Sequence, residues 1–201
     1  MRSRFTNILL VILAIALWGC SSEDSKPGSV ASDDSLPQAQ SAVEGLLSAL
    51  YTVSDHSLYK VLLEDMAKAQ STEVDSGDAT GISSFPAEIY DDFRTLYSPY
   101  ATEDCIEQLF SNREALSLQQ LAYEKDFTFE IDSVSIYPSN EEEVGGAVPF
   151  DFELRIKAIY EDDGSESTAT IGGYATVEET APGIFLVDFL RITDRSELGE
   201  L

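Results

Sequence analysis

The apolar positions along the chain follow two different periods, one in each half. Between residues 37 and 52, apolar side chains recur at spacings of three and four, which predicts an amphipathic helix. From Asp126 onward the period is two: residues 127–131 alternate apolar and polar, and Asp132-Ser133 indicates a bulge. Helices followed by a run of strands predict an α+β fold with N-terminal helices packed on an antiparallel sheet.

Three further helices are predicted before the strands. Apolar residues at helical spacing mark the second helix around 58–66, and a polar, Gly-containing loop is predicted over 71–84. The third helix begins near Pro86 and is ended by Pro99. The fourth begins after Thr102, which is a favourable N-cap residue. The apolar stretch that follows, over residues 116–123, is too short to assign to a helix or a strand.

Tight turns divide the strand half. Residues 148–160 alternate apolar and charged side chains, which predicts a long strand with one solvated face. The turn at 162–164 predicts a hairpin into a returning strand over 167–178. After a second turn at 181–183, the last strand is apolar on both faces, and a central place in the sheet is predicted for this segment, residues 184–192.

The chain starts with a short apolar run behind two basic residues. Arg2 and Arg4 precede eleven apolar residues, 8–18, whereas a helix needs about 20 residues to cross a bilayer. The run ends at Gly19-Cys20, and Ser-rich, acidic sequence follows, which is typical of a cleaved secretory signal. An uncleaved membrane span and a secretory signal with an incidental Cys20 fit this pattern less well.

The segment Leu17-Trp18-Gly19-Cys20 resembles the lipobox of bacterial lipoproteins. The resemblance implies a signal peptide over residues 1–19 and a first mature residue, Cys20, whose thiol carries a diacylglycerol with palmitate-type acyl chains. Two acyl chains suffice for stable anchoring, which implies a cell-membrane lipoprotein on the extracytoplasmic face. Residues 20–36 are predicted to be a disordered, acidic, Ser-rich tether, and residues 37–201 a single α+β domain.

The charge of the chain restricts its partners. Thirty-seven acidic and 12 basic side chains give a net charge of −25. Removal of residues 1–19 would remove two Arg and no acid, which would make the charge −27. A nucleic-acid-binding protein needs a basic surface, so that class is excluded. Cationic partners and divalent ions stay open, and the acidic residues also keep an exported domain soluble.

The order of elements over residues 37–195 resembles the nuclear transport factor 2-like superfamily, also called ketosteroid-isomerase-like. Residues 97–104, 112–113 and 121–124 also resemble a group of uncharacterised bacterial lipoproteins with such domains. The resemblance implies a cone in which the helices pack in the hollow of a curved antiparallel sheet. It also implies a homodimer formed through the sheet.

Candidate metal ligands and nucleophiles are few. His56 is the only histidine; it lies in a turn between two predicted helices, where a solvated capping role is expected. Beyond Cys20 the only cysteine is Cys105, which is expected to be a buried thiol, so a structural zinc site is not expected. The acidic clusters at 75–78, 141–143 and 161–166 do not match a calcium-binding loop, and we predict no metal and no cofactor.

One carboxylate has a catalytic interpretation. Asp188 interrupts an apolar strand, and the ketosteroid-isomerase resemblance implies that a carboxylate inside the cone could act as a base. The alternative is that Asp188 points to solvent or pairs with Arg191 or Lys157. Three tyrosines of the helical half are expected to be core or rim residues: Tyr90, Tyr97 and Tyr100.

No catalytic constellation follows from these residues. We therefore expect a non-catalytic module of the cell envelope that binds a small apolar molecule in the cone or another envelope protein on the sheet. The alternatives are an isomerase- or hydratase-like enzyme with Asp188 as base, and an acidic surface protein that buffers ions.

Overall fold

The computed structural model describes residues 35–74, 87–141 and 146–201. The predicted signal peptide, Cys20 and nearly all of the tether lie outside these residues, as do the acidic cluster at 75–78 and the predicted start of the third helix. Within the described ranges, no helix combines the length and the apolar character needed to cross a membrane.

The helical half agrees closely with the sequence pattern. Its helices are listed in chain order: α1 Leu36–Tyr51, α2 Ser57–Val74, a 3-10 turn Ala87–Tyr90 leading into α3 Asp91–Tyr97, and α4 Glu103–Ser111. The Thr102 side chain accepts a hydrogen bond from the Cys105 backbone N–H at 3.2 Å, which confirms the predicted N-cap. Helix α2 continues to Val74, so the predicted loop at residue 71 begins later than expected.

The stretch left unassigned in the sequence is a helix, α5, Glu114–Lys125. It is only weakly amphipathic, because a polar residue, Gln119, is buried beside Leu118 and Ala122. Its flanking residues, Arg113 and Asp126, both have positive φ, 63° and 60°, so neither end has a common capping sequence.

Four antiparallel strands follow, and their order in the sheet is their order in the chain: β1 Phe127–Pro138, β2 Val148–Tyr160, β3 Glu166–Ala181 and β4 Ile184–Asp194. The register of β1 against β2 shifts between Ile131 and Ser133, which confirms the predicted bulge. A 3-10 helix, Ser196–Glu200, continues beyond β4 and packs against β3. The described residues therefore form an α+β fold with helices against an antiparallel sheet.

The predicted central place of the last strand is wrong, because β4 lies at an edge of the four-stranded sheet. The loop before α4 covers that edge: the Val187 N–H donates to the Tyr100 carbonyl, and the Thr102 N–H donates to the Val187 carbonyl, both at 2.9 Å. The opposite edge is covered in the same way, since Val53 forms an antiparallel bridge with Phe129 of β1. An apolar edge strand is tolerated here because a short chain segment closes it.

The hydrophobic core lies between the helices and one face of the sheet, which we call the inner face. Helix α1 packs against all four strands, α4 packs on β4, and α5 packs on β1. The largest side chains with less than 2 % exposure include aromatic residues from both layers: Phe93, Tyr97, Phe127, Phe129, Phe150 and Phe152. This interior is filled by side chains from the helices and from the sheet.

Candidate functional site

The other face of the sheet, which we call the outer face, carries a different set of side chains. Along β2, Phe150, Phe152 and Leu154 are buried on the inner face, while the alternating Asp151 and Glu153 are half-buried and exposed. This alternation follows from the two-residue period of a strand, and it gives the outer face a polar character, with the α-helices of the described residues packed on the inner face.

A row of four side chains crosses the outer face. The register pairs Tyr137 of β1 with Asp151 of β2, Asp151 with Tyr174 of β3, and Tyr174 with Arg191 of β4. Directly paired residues on one face bring their side chains into contact range. Phe189 extends the row, because its ring stands edge-on to Tyr174 with 6.3 Å between the ring centroids.

The row borders a shallow depression of about 280 Å³. Its lining combines two aromatic rings with charges of both signs: Glu141, Asp151, Gly173, Tyr174, Phe189, Arg191 and Thr193. Tyr137, at the other end of the row, is 50 % exposed. Exposed aromatic and arginine side chains are the residue types that contribute most to protein–protein interfaces.

The charges divide the outer face into two parts. Away from the depression, Arg155 pairs with Asp132 at 3.4 Å, and Lys157 pairs with Glu166 at 3.3 Å. At the depression, neither Asp151 nor Arg191 forms an ion pair with another described residue. Asp151 and Arg191 are therefore available to a partner beside the aromatic rings.

Tyr174 lies in an acidic environment. Partial burial raises the pKa of its hydroxyl, and the charge of Glu141, the hydrogen bond to Glu141 and the charges of Asp151 and Asp188 raise it further. The hydroxyl therefore interacts with Glu141 at the edge of the depression.

Asp188 also reaches the outer side of the sheet. Its carboxylate accepts a hydrogen bond at 2.5 Å from the hydroxyl of Thr176, whose neighbours Ala175 and Val177 are buried on the inner face. Neither Arg191 nor Lys157 pairs with it among the described residues. The geometry gives no support to a base enclosed in an apolar cavity, because the interior is occupied by aromatic and aliphatic side chains.

The tyrosines and the cysteine of the helical half serve packing. Tyr97 is fully buried and its hydroxyl donates to the Ala115 carbonyl at 2.6 Å. Tyr90 packs on Phe110 with 4.7 Å between ring centroids. Cys105 is 0 % exposed, as expected, and burial raises the pKa of its thiol to about 12, with a smaller contribution from the charge of Asp188.

The solvated capping role expected for His56 is wrong. The carboxylate of Asp55 caps this turn instead, accepting from the Ser57 N–H at 2.7 Å, and hydrogen bonds from the Ser57 hydroxyl and from its backbone N–H lower the pKa of Asp55. His56 is only 8 % exposed and its Nε2 lies 3.0 Å from the Phe127 carbonyl oxygen. Among the described residues, the side chains placed to ligate a metal ion are those of His56, Asp126 and Glu161.

The acidic residues of the clusters that the structure describes, 141 and 161–166, are exposed. The cluster at 161–166 forms the β2–β3 hairpin, where the Asp163 carboxylate accepts from the Ser165 N–H at 2.8 Å. Glu141 is exposed, and the rest of the 141–143 cluster lies outside the described residues.

The aromatic and charged row was not predicted. Sequence alternation assigns Asp151 to a solvated face, but only the register of all four strands brings it beside Tyr174 and Arg191. A count of exposed aromatic residues on the alternating strands would have selected Tyr137 and Tyr174.

Comparisons with known proteins give little further information. No protein-family model matches the chain, and no curated protein matches it. A solved structure titled "Structure of a periplasmic fragment of TraM" is similar over 78 % of this chain and 96 % of that chain, with 8 % sequence identity and a TM-score of 0.45.

Proposed function

We propose that this chain is a lipid-anchored protein of the extracytoplasmic face of a bacterial cell membrane, and that it binds a partner protein through the outer face of its sheet. One observation carries the binding proposal: unpaired charges and half-buried aromatic rings converge at the depression formed by Asp151, Tyr174, Phe189 and Arg191. The filled interior favours a surface that binds over a cavity that catalyses.

The partner is a protein segment that presents a basic side chain beside an apolar one. The basic group would meet Asp151 and Glu141, and the apolar group would pack on Tyr174 and Phe189. A net charge of −25 attracts a basic partner over long range and opposes an acidic one. The isolated bridges at Phe129 of β1 and at Val187 of β4 oppose strand addition at those two positions.

The anchor is supported by the sequence alone, through the apolar run at 8–18 and the lipobox-like segment that ends at Cys20. A Cys20→Ser variant should lose the lipid and accumulate uncleaved or in the soluble fraction, and it should incorporate no labelled palmitate. If the variant stays in the membrane fraction with normal processing and label, the anchor proposal fails.

The finer fold proposal is a nuclear transport factor 2-like domain, with the sheet curved around the helices. Two features support this proposal: α1 packs against all four strands, and the bulges at Ile131/Ser133 and in the β3–β4 pairing allow the strands to bend. An experimental structure with a flat sheet would contradict it.

Photo-crosslinking tests the binding surface in intact cells. Benzoylphenylalanine at Tyr137 on the outer face should give a discrete cross-linked product, and the same group at Val61, 43 % exposed on α2, should not. Asp151→Lys should abolish the product, whereas Glu153→Lys, on the same strand and face, should leave it.

The mass of the product decides what occupies the surface. A product larger than one chain by the mass of a different protein, lost with Asp151→Lys, supports the proposal. A product of twice the chain mass would show that a second copy of this chain occupies the surface in place of a different protein. Equal labelling from Tyr137 and Val61, or equal loss with Asp151→Lys and Glu153→Lys, would overturn the proposal.

A further inference from the structure

Three segments that are distant in the sequence bring His56, Asp126 and Glu161 together. His56 precedes α2, Asp126 joins α5 to β1, and Glu161 follows β2 at the hairpin. One potential ligand atom from each side chain lies within 4.8 Å of the other two. Small rotamer changes would bring such atoms to the separations found around a bound metal ion, where each ligand lies about 2.0–2.2 Å from the metal.

Backbone hydrogen bonds hold these three segments together. The Glu161 N–H donates to the Asp126 carbonyl at 3.2 Å, and Phe127 pairs with Tyr160 in the sheet. His56 is tied to the same corner by its hydrogen bond with the Phe127 carbonyl. The backbone positions of the three residues are therefore set by the fold.

One ring nitrogen of His56 is free of hydrogen bonds to the described residues. A carbonyl oxygen can only accept, so the 3.0 Å contact with Phe127 places the ring proton on Nε2 and leaves a lone pair on Nδ1. Nδ1 makes no hydrogen bond within the described part of the chain, although the residue is 92 % buried, with 8 % exposure. Histidines that bind metals typically donate their other ring N–H to a carbonyl or carboxylate in this way.

The two carboxylates supply uncompensated negative charge. Asp126 and Glu161 are exposed, and neither forms an ion pair with a lysine or arginine of the described residues. Two carboxylates beside an imidazole attract a divalent cation. Their exposure leaves coordination positions open to water.

We propose that His56, Asp126 and Glu161 form a binding site for a divalent transition-metal ion of the Zn²⁺ or Mn²⁺ type. The imidazole selects this class over Ca²⁺ and Mg²⁺, which prefer oxygen ligands alone. A bound ion would clamp the α1–α2 turn and the β2–β3 hairpin to the start of β1. This site is separate from the outer-face depression and does not depend on the proposed function.

Zn²⁺ titration of the full chain, purified untagged in detergent micelles, tests the site. The chain contains one histidine, so ¹⁵N labelling of histidine reports on His56 alone. We expect one Zn²⁺ per chain, a large shift of the Nδ1 signal, and a rise in Tm of about 5 °C at a hundredfold excess over Kd. Ca²⁺ should produce no such shift.

The variants use matched carboxylates of the same region. Asp126→Asn and Glu161→Gln should each weaken Zn²⁺ binding at least tenfold, whereas Asp162→Asn, next to Glu161 on the hairpin, should leave Kd unchanged. Asn is chosen at 126 because it tolerates the positive φ of 60° there. Circular dichroism without metal checks that each variant is folded. If Asp126→Asn is unfolded, the Zn²⁺ affinity of Glu161→Gln tests the site.

Two results would overturn the site. The first is an unshifted His56 signal at saturating Zn²⁺. The second is an equal loss of affinity with Glu161→Gln and Asp162→Asn, which would indicate diffuse binding by acidic surface groups.

Discussion

The two faces of the sheet carry opposite chemistry on the same strands. On the inner face of β2, Phe150 and Phe152 have at most 2 % exposure and pack against the helices. On the outer face, Asp151 lies between Tyr137 and Tyr174 and is half-buried. Neighbouring residues of one strand therefore serve different purposes: one set determines stability, and the other is available for recognition.

The two faces differ because truncation of a buried side chain and truncation of a hydrated side chain have different costs. Removing an inner-face ring leaves a cavity that the packed helices cannot fill. Removing an outer-face ring exposes little new apolar area, because the ring is already hydrated. Mutations on the inner face should change the free energy of unfolding, and mutations on the outer face should change binding alone.

The largest contrast is expected between Phe150→Ala and Tyr137→Ala. Phe150 is fully buried, so its truncation should lower the free energy of unfolding by about 3–5 kcal/mol. Tyr137 is 50 % exposed, so its truncation should cost less than about 1 kcal/mol. Denaturant unfolding followed by circular dichroism measures both, and equal losses would show that the two faces are not energetically distinct.

A pair of adjacent glycines provides a smaller contrast. A Cβ on Gly173 would collide with the Phe152 ring and lie 2.6 Å from the Arg191 carbonyl oxygen, so Gly173→Ala should cost about 1–3 kcal/mol. A Cβ on Gly172 would find its nearest atoms at 3.8 Å, so Gly172→Ala should change stability by less than about 0.5 kcal/mol.

The same unfolding measurement decides this case. The prediction is wrong if the alanine variants at 172 and 173 unfold at the same denaturant concentration. That result would mean that both the Phe152 ring and the Arg191 backbone can move aside, and that the inner face is packed less tightly than its burial indicates.

The sequence pattern within a segment predicted the features that depend on that segment alone. The helical spacing at 37–52 and the alternation at 148–160 agree with α1 and β2 to within one residue at each end. The Thr102 cap was also predictable, because a cap depends only on the next three residues. Helix α5 escaped assignment because its buried Gln119 breaks the apolar stripe.

The sequence-based predictions that were wrong or missing concern contacts between segments that are distant in the chain. The two apolar faces of β4 indicated a central strand, but Ala101, 86 positions before Val187, closes that edge. His56 appeared to be a solvated cap because the sequence does not show that Phe127 supplies its hydrogen-bond partner. The outer-face row likewise required the register of four strands, which no single segment encodes.

The smallest contrast compares two tyrosine hydroxyls, one on each side of the sheet. Tyr97→Phe removes the buried donor to the Ala115 carbonyl at 2.6 Å and should cost about 1–2 kcal/mol. Tyr174→Phe removes a half-exposed hydroxyl and should cost less than about 0.5 kcal/mol. Denaturant unfolding at pH 7 should resolve the difference, and an equal cost would indicate that water reaches Tyr97.

Alkaline pH sharpens this comparison. Burial raises the pKa of Tyr97 in the folded chain, while the unfolded chain ionises near pH 10. The stability linked to this difference is complete below pH 10 and is lost as the pH rises further, since the unfolded state releases its proton first. The free energy of unfolding should therefore fall less steeply above pH 10 in Tyr97→Phe than in the unmodified chain. In Tyr97→Phe, the free energy of unfolding should still decrease somewhat above pH 10, because burial and the charge of Glu114 also raise the pKa of Tyr51. If Tyr97→Phe leaves the pH dependence of the free energy of unfolding unchanged, the Tyr97 hydroxyl is in contact with water and does not belong to the hydrophobic core.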